Sequence, residues 1–137
     1  MKQRYKCPCC GYLTLFELFE ICSMCNWEDD GQDDPYAEER WGGPNGDYTL
    51  SEARTNFIRY LHMYREPIED EYEYSLKKLL VQKHHISIQN NEMALWKQII
   101  VVETKLDKLI GEKITKYEKD LENRRKNGYE GDSEDIG

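Results

Sequence analysis

Helical rhythm governs the second half of this chain. Leu50, Ala53, Phe57, Ile58 and Leu61 fall on one helical face. Thr49-Leu50-Ser51-Glu52 reads as a capping box, with Thr49 as N-cap, Glu52 reaching back to its amide, and Pro67 bounding the segment downstream. A second helix is predicted over 69–85. Its first turn is acidic, its lysines and histidines come late, and its apolar face of Tyr72, Leu76, Leu79 and Leu80 is narrow. After Gln89-Asn90-Asn91 a third helix is predicted over 91–126. There Leu95, Ile99, Val102, Leu106, Ile110, Ile114, Tyr117 and Leu121 recur at a mean step of about 3.7 residues, nearer a straight helix than a strict heptad seam. So long a stripe needs cover. The second helix folding back as an antiparallel hairpin supplies it within a monomer, and a homodimer through the long C-terminal helix is the alternative.

Before Thr49 the rhythm changes. Tyr12-Leu13-Thr14-Leu15-Phe16 and Leu18-Phe19-Glu20-Ile21 are β-prone and are predicted to pair as a short hairpin. Asp33-Asp34-Pro35 and Gly42-Gly43-Pro44-Asn45-Gly46 are turn signals. The expected class is α+β: a small domain with a short hairpin, then about three helices, the last two antiparallel. The divisions expected are a first domain over 1–65, a helical extension over 66–126 and an acidic, Gly-rich, disordered tail over 127–137.

Composition adds one demand. Only 39% of the 137 residues are hydrophobic and 34% are charged, so the core is thin and a metal would be a useful staple. The net charge of −8 counts against binding a phosphate backbone and suits a basic protein partner. The acid is concentrated: seven carboxylates between Glu28 and Glu39 face Arg40 alone. Residues 1–6 lead into Cys7 without an apolar stretch, and no run approaches the ~20 apolar residues of a membrane span. The expectation is a cytoplasmic protein without a membrane segment, where thiols stay reduced and paired cysteines hold metal.

Cys7, Cys10, Cys22 and Cys25 form two Cys-x-x-Cys turns around the β-prone segment. Each turn offers two thiolates to one edge of a tetrahedron, which is what a structural Zn2+ requires. Pro8 fixes the chain after the first ligand, while Gly11 and Asn26 tolerate positive φ just past the second ligand of each turn. Iron is the alternative metal. Cys9 is the odd cysteine, either a packed thiol or a nucleophile beside the metal. Four protein ligands leave zinc no open position, so the site is expected to build structure and not to catalyse.

The segment after Cys25 carries the second candidate surface. Trp27, Asp29, Asp30, Asp33, Asp34 and Trp41 interleave aromatic rings with carboxylates, a pattern suited to contact with a basic protein. A second, hard cation is the competing use of the carboxylates, although the spacing of a calcium loop is missing. His62, His84 and His85 have no partner at ligand spacing.

Several blocks in order carry a resemblance. Tyr5-Lys6-Cys7-Pro8-Cys9-Cys10-Gly11-Tyr12-Leu13-Thr14-Leu15, Glu20-Ile21-Cys22, Cys25-x-Trp27-Glu28-Asp29-Asp30-Gly31-Gln32-Asp33, Gly42-Gly43-Pro44-Asn45 and Leu50-Ser51-Glu52-Ala53-Arg54-x-Asn56-Phe57 resemble the bacterial cysteine-rich CPCC family over residues 5–65. The resemblance implies a small zinc-ribbon-like domain of bacterial or phage origin and brings no activity with it. The function expected is a non-enzymatic, zinc-stabilised acidic module that binds a protein, in its most concrete form an immunity protein or inhibitor of a basic toxin. The alternatives are a nucleic-acid-binding zinc-ribbon regulator and a small metal-dependent enzyme using the acidic loop.

Overall fold

A computed structural model describes residues 3–126. Strand β1 (Tyr5–Lys6) pairs antiparallel with β2 (Leu13–Leu15), Tyr5 opposite Leu15 and Lys6 opposite Leu13, with a bulge between. The loop they enclose is the first Cys-x-x-Cys turn. A second ribbon encloses the second turn: Ile21 bridges Glu28, the Phe19 amide donates to Asp29 O (2.8 Å), and the Asp29 amide donates to Glu20 O (3.0 Å).

The predicted hairpin between 12–16 and 18–21 is therefore replaced by two ribbons. A Cys-x-x-Cys turn already reverses the chain, so the backbone on its two sides meets and pairs there. Between the ribbons the chain turns. Glu20 Oε1 accepts from the amides of Phe16 (2.6 Å) and Glu17 (3.3 Å), and Phe19 adopts φ 70°.

Helix α1 (Leu50–Tyr60) begins as expected, with Thr49 Oγ1 accepting from the Glu52 amide at 3.0 Å. The Glu52 carboxylate pairs with the Arg65 guanidinium (2.9 Å) and is not seen returning to the Thr49 amide. Leu50, Ala53 and Phe57 are buried, while Ile58 is 84% exposed, so the inward face is narrower than the apolar pattern.

Helix α2 (Glu71–Gln89) is capped by Asp70, which accepts from the amides of Tyr72 and Glu73. Three residues lead into α3 (Met93–Lys126). The two helices pack together: the His84 and Trp96 rings meet edge-on at 5.6 Å, and Lys83 Nζ donates to Gln98 Oε1 at 2.6 Å. Leu76 and Leu80 of α2 and Ile99, Val102 and Leu106 of α3 are buried as the stripes predict. Tyr72 and Leu79 are exposed instead, and Lys77, His84 and Ser87 occupy buried positions on α2.

The chain divides into two compact units after Leu106. The first unit holds both ribbons, α1, α2 and the opening turns of α3. Arg4, just before β1, reaches Glu103 of α3 in a bidentate pair of 2.8 Å contacts. Its guanidinium also lies over the rings of Phe16 (4.7 Å) and Trp96 (4.9 Å). In the second unit Ile114 and Tyr117 are exposed, and the last described turn carries Arg124, Arg125 and Lys126. The expected disordered tail, 127–137, lies outside the described residues. Among the described residues, no helix is long and apolar enough to cross a membrane.

Candidate metal centre

The two Cys-x-x-Cys turns are near copies of each other. The Cys7 amide donates to Tyr12 O and the Cys22 amide to Trp27 O, both at 2.9 Å. The Gly11 amide returns to Cys7 O (2.8 Å) and the Asn26 amide to Cys22 O (2.9 Å). Both closing residues need a left-handed backbone, φ 80° at Gly11 and 71° at Asn26, which explains the residue types at these two positions.

Facing one another, the turns bring four sulfurs together. All four lie within 4.8 Å of one another, with Cys7 Sγ 3.5 Å from Cys25 Sγ and Cys10 Sγ 3.7 Å from Cys22 Sγ. A tetrahedron with metal–sulfur bonds of about 2.3 Å has edges of about 3.8 Å. The donor set therefore fits a metal ion held by four cysteines. Among the described residues it is the one cluster of this kind.

The electrostatics of the thiols alone point the same way. Cys22 is held well below the usual thiol range. Burial opposes its ionisation, but hydrogen bonds from Cys10, Cys25, Cys7 and Thr14 outweigh burial. The Thr14 hydroxyl donates to Cys22 Sγ at 3.0 Å and the Cys25 amide at 3.4 Å. Cys10 is pushed up chiefly by its hydrogen bond to Cys22, and Cys25 chiefly by burial. The sulfurs thus share hydrogen bonds across the centre of the cluster. A cation at the centre would replace those shared protons.

The helices hold both turns from outside. Arg54 of α1 donates through Nε to Pro8 O (2.8 Å), inside the first turn. The Tyr12 ring packs against Phe57 and His84, and its hydroxyl meets His85 Nε2 at 2.8 Å. Past α1, the Met63 amide donates to Cys25 O (2.8 Å), and Asn56 Nδ2 secures Met63 O (2.8 Å).

Residues 5–75 match the profile of a family described as cysteine-rich CPCC, whose signature stands here as Cys7-Pro8-Cys9-Cys10. The chain belongs to the cysteine-rich CPCC family. The match takes in both ribbons, the acidic loop, α1 and the first residues of α2. Comparison with curated proteins and with solved structures gave no match. In this CPCC chain Cys9, the signature's middle cysteine, is buried and stands outside the four-sulfur cluster.

The acidic loop beside the centre is built mostly from its own side chains. Asp29 Oδ1 accepts from the Gly31 amide and Asp30 Oδ1 from the Gln32 amide, both at 3.1 Å. Asp33 caps a 3-10 turn over Asp34–Tyr36, and Asp34 pairs with Arg54 at 2.7 Å. Two buried amides missed by sequence reasoning hold the loop. Gln32 Nε2 donates to Tyr36 O (3.0 Å) and Glu39 O (2.9 Å), while Asn45 bonds both the amide and the carbonyl of Glu28 (3.1 and 2.8 Å). Their only sequence signal is an uncharged amide among carboxylates and glycines.

Of the surface named from sequence, Trp27 does not belong to it. Its side chain is fully buried in the hydrophobic core, because the second turn folds it inward. Trp41 is exposed, lies 5.5 Å from the Tyr36 ring and donates Nε1–H to Glu39 (2.9 Å). Asp33 and Asp34 also face solvent, their side chains 71% and 81% exposed.

Proposed function

We propose that this CPCC chain is a non-enzymatic, zinc-stabilised protein-interaction module that presents an acidic, aromatic loop to a basic protein. Zinc is the metal this reading assigns to Cys7, Cys10, Cys22 and Cys25. Four closely spaced thiols suit a structural ion and leave no position for substrate. The domains follow the sequence divisions, with the metal-binding part over 1–65, the helical extension over 66–126 and a tail beyond.

One observation carries the reading: the loop beside the centre is anchored from within yet keeps charge outside. Gln32 and Asn45 fix its backbone and Arg54 holds the Asp34 carboxylate from one side, while Asp33, Asp34, Tyr36 and Trp41 remain accessible. A prearranged loop loses little conformational entropy on binding, and its charge steers a cationic partner. A bacterial immunity protein or inhibitor of a basic toxin, acting in the cytoplasm, is the most concrete form.

Two measurements test it. Metal analysis of the purified chain should give one zinc per molecule, with chelation unfolding the ribbons by circular dichroism. Against a basic protein recovered on the immobilised chain, Asp33→Lys with Asp34→Lys should slow association severalfold and flatten its salt dependence. Association unaffected by that reversal would refute the proposed surface.

A further inference from the structure

Lys77 is fully buried on α2, between Leu76 and Leu80, at a position that an apolar residue would ordinarily fill. It lies two residues past the segment matched by the family profile. Its Nζ donates to Asn26 Oδ1, on the residue that follows Cys25 and closes the second turn. Its nearest carboxylate, Glu73, stands at 3.4 Å, longer than the about 2.7–2.9 Å of a tight charged hydrogen bond. A buried ammonium without adequate counter-charge is strongly unfavourable, so the position calls for anionic surroundings beyond Glu73. Burial lowers the Lys77 pKa, while Glu73 acts in the opposite sense.

The metal site has the converse need. A divalent cation with four thiolates carries a net charge of about −2 in surroundings with little water. We propose that Lys77 is the buried counter-cation of the four-cysteine metal centre, so that α2 docks in step with metal loading. The inference rests on the metal reading given above. It gives Lys77 opposite effects in the two states: a cost to the metal-free fold and a gain to the loaded one.

The full chain tests this with Co2+ as a spectroscopic probe of tetrathiolate binding, titrated against a competing chelator. Lys77→Met, similar in size and uncharged, should weaken Co2+ binding by roughly 10–100-fold, the range for residues just outside a metal's ligands. In denaturant melts without metal, the same variant should be at least as stable as the parent chain. Equal affinity, or the same loss of stability with and without Co2+, would overturn the proposal, since a purely structural lysine acts alike in both states. Glu73→Gln decides the matter if the metal-free chain does not fold. Affinity unchanged or raised supports a lysine serving the centre, whereas a fall shows that the lysine belongs to Glu73. A parent chain that shows no thiolate-to-cobalt absorption would overturn the metal reading itself, a result distinct from an affinity unmoved by Lys77→Met.

Discussion

Replacing Glu103 with glutamine should cost the protein a large share of its stability, although the residue lies far in sequence from the cysteines. The carboxylate takes two 2.8 Å hydrogen bonds from Arg4, and the side chains of the pair are only 5% (Arg4) and 11% (Glu103) exposed. Glu103→Gln removes the charge and turns an amide N–H toward the guanidinium, leaving a cation buried between Phe16 and Trp96. Breaking a buried pair in this way costs about 3–5 kcal/mol, against the 5–15 kcal/mol that holds a typical domain together. Removing both charges is a different perturbation. Arg4→Met with Glu103→Leu deletes both desolvation penalties, so the double variant should recover most of the loss. The assay is urea unfolding of the metal-loaded chain, followed by tryptophan fluorescence and circular dichroism, and the single variants Arg4→Met and Glu103→Leu complete a double-mutant cycle with the parent chain and the double variant. A Glu103→Gln loss below about 1 kcal/mol, or a double variant as unstable as the single one, would refute the reasoning.

Three other outcomes are expected. Gly11→Ala meets no atom within 4 Å, so its cost is that of φ 80° alone, about 1–2 kcal/mol, read as a lowered denaturation midpoint. Asn45→Ala strands the amide and carbonyl of Glu28 and should cost about 2–3 kcal/mol, with hydrogen exchange quickening in residues 28–32. His84 is pushed down to about 4 chiefly by burial, so its contribution is complete above the ordinary histidine value and is lost as pH falls from about 6.5 toward 4. Between pH 7 and 5 that amounts to at most ~2 kcal/mol, and His84→Phe should remove this part of the slope from a series of urea melts.

The features legible in the sequence were those whose geometry is local. Two cysteines three residues apart with glycine or asparagine after them define a turn almost by themselves, and Thr49 announced the start of α1. The strand pairing was not local in that sense. Residues 12–16 and 18–21 are equally β-prone, and only the chain reversal inside each cysteine turn decides what each pairs with. Trp27 misled because every residue from 28 to 30 is acidic, while its own position is set by the ribbon that turns it onto the core. Lys77, His84, Gln32 and Asn45 are buried polar residues whose burial depends on partners distant in sequence. Amphipathic periodicity, which treats polar residues as outward-facing, has no means of finding them.

The two cysteine turns share their hydrogen bonds but not their shelter. Cys7, Cys22 and Cys25 are sealed, and the segment after α1 is fastened directly to Cys25, whereas Cys10 is only half-buried. A chelator, an alkylating reagent or an oxidant approaching the cluster therefore meets Cys10 before any other sulfur. Exchange of a bound ion would be sequential and one-sided, with Cys10 as the entrance and the three sealed sulfurs as the seat.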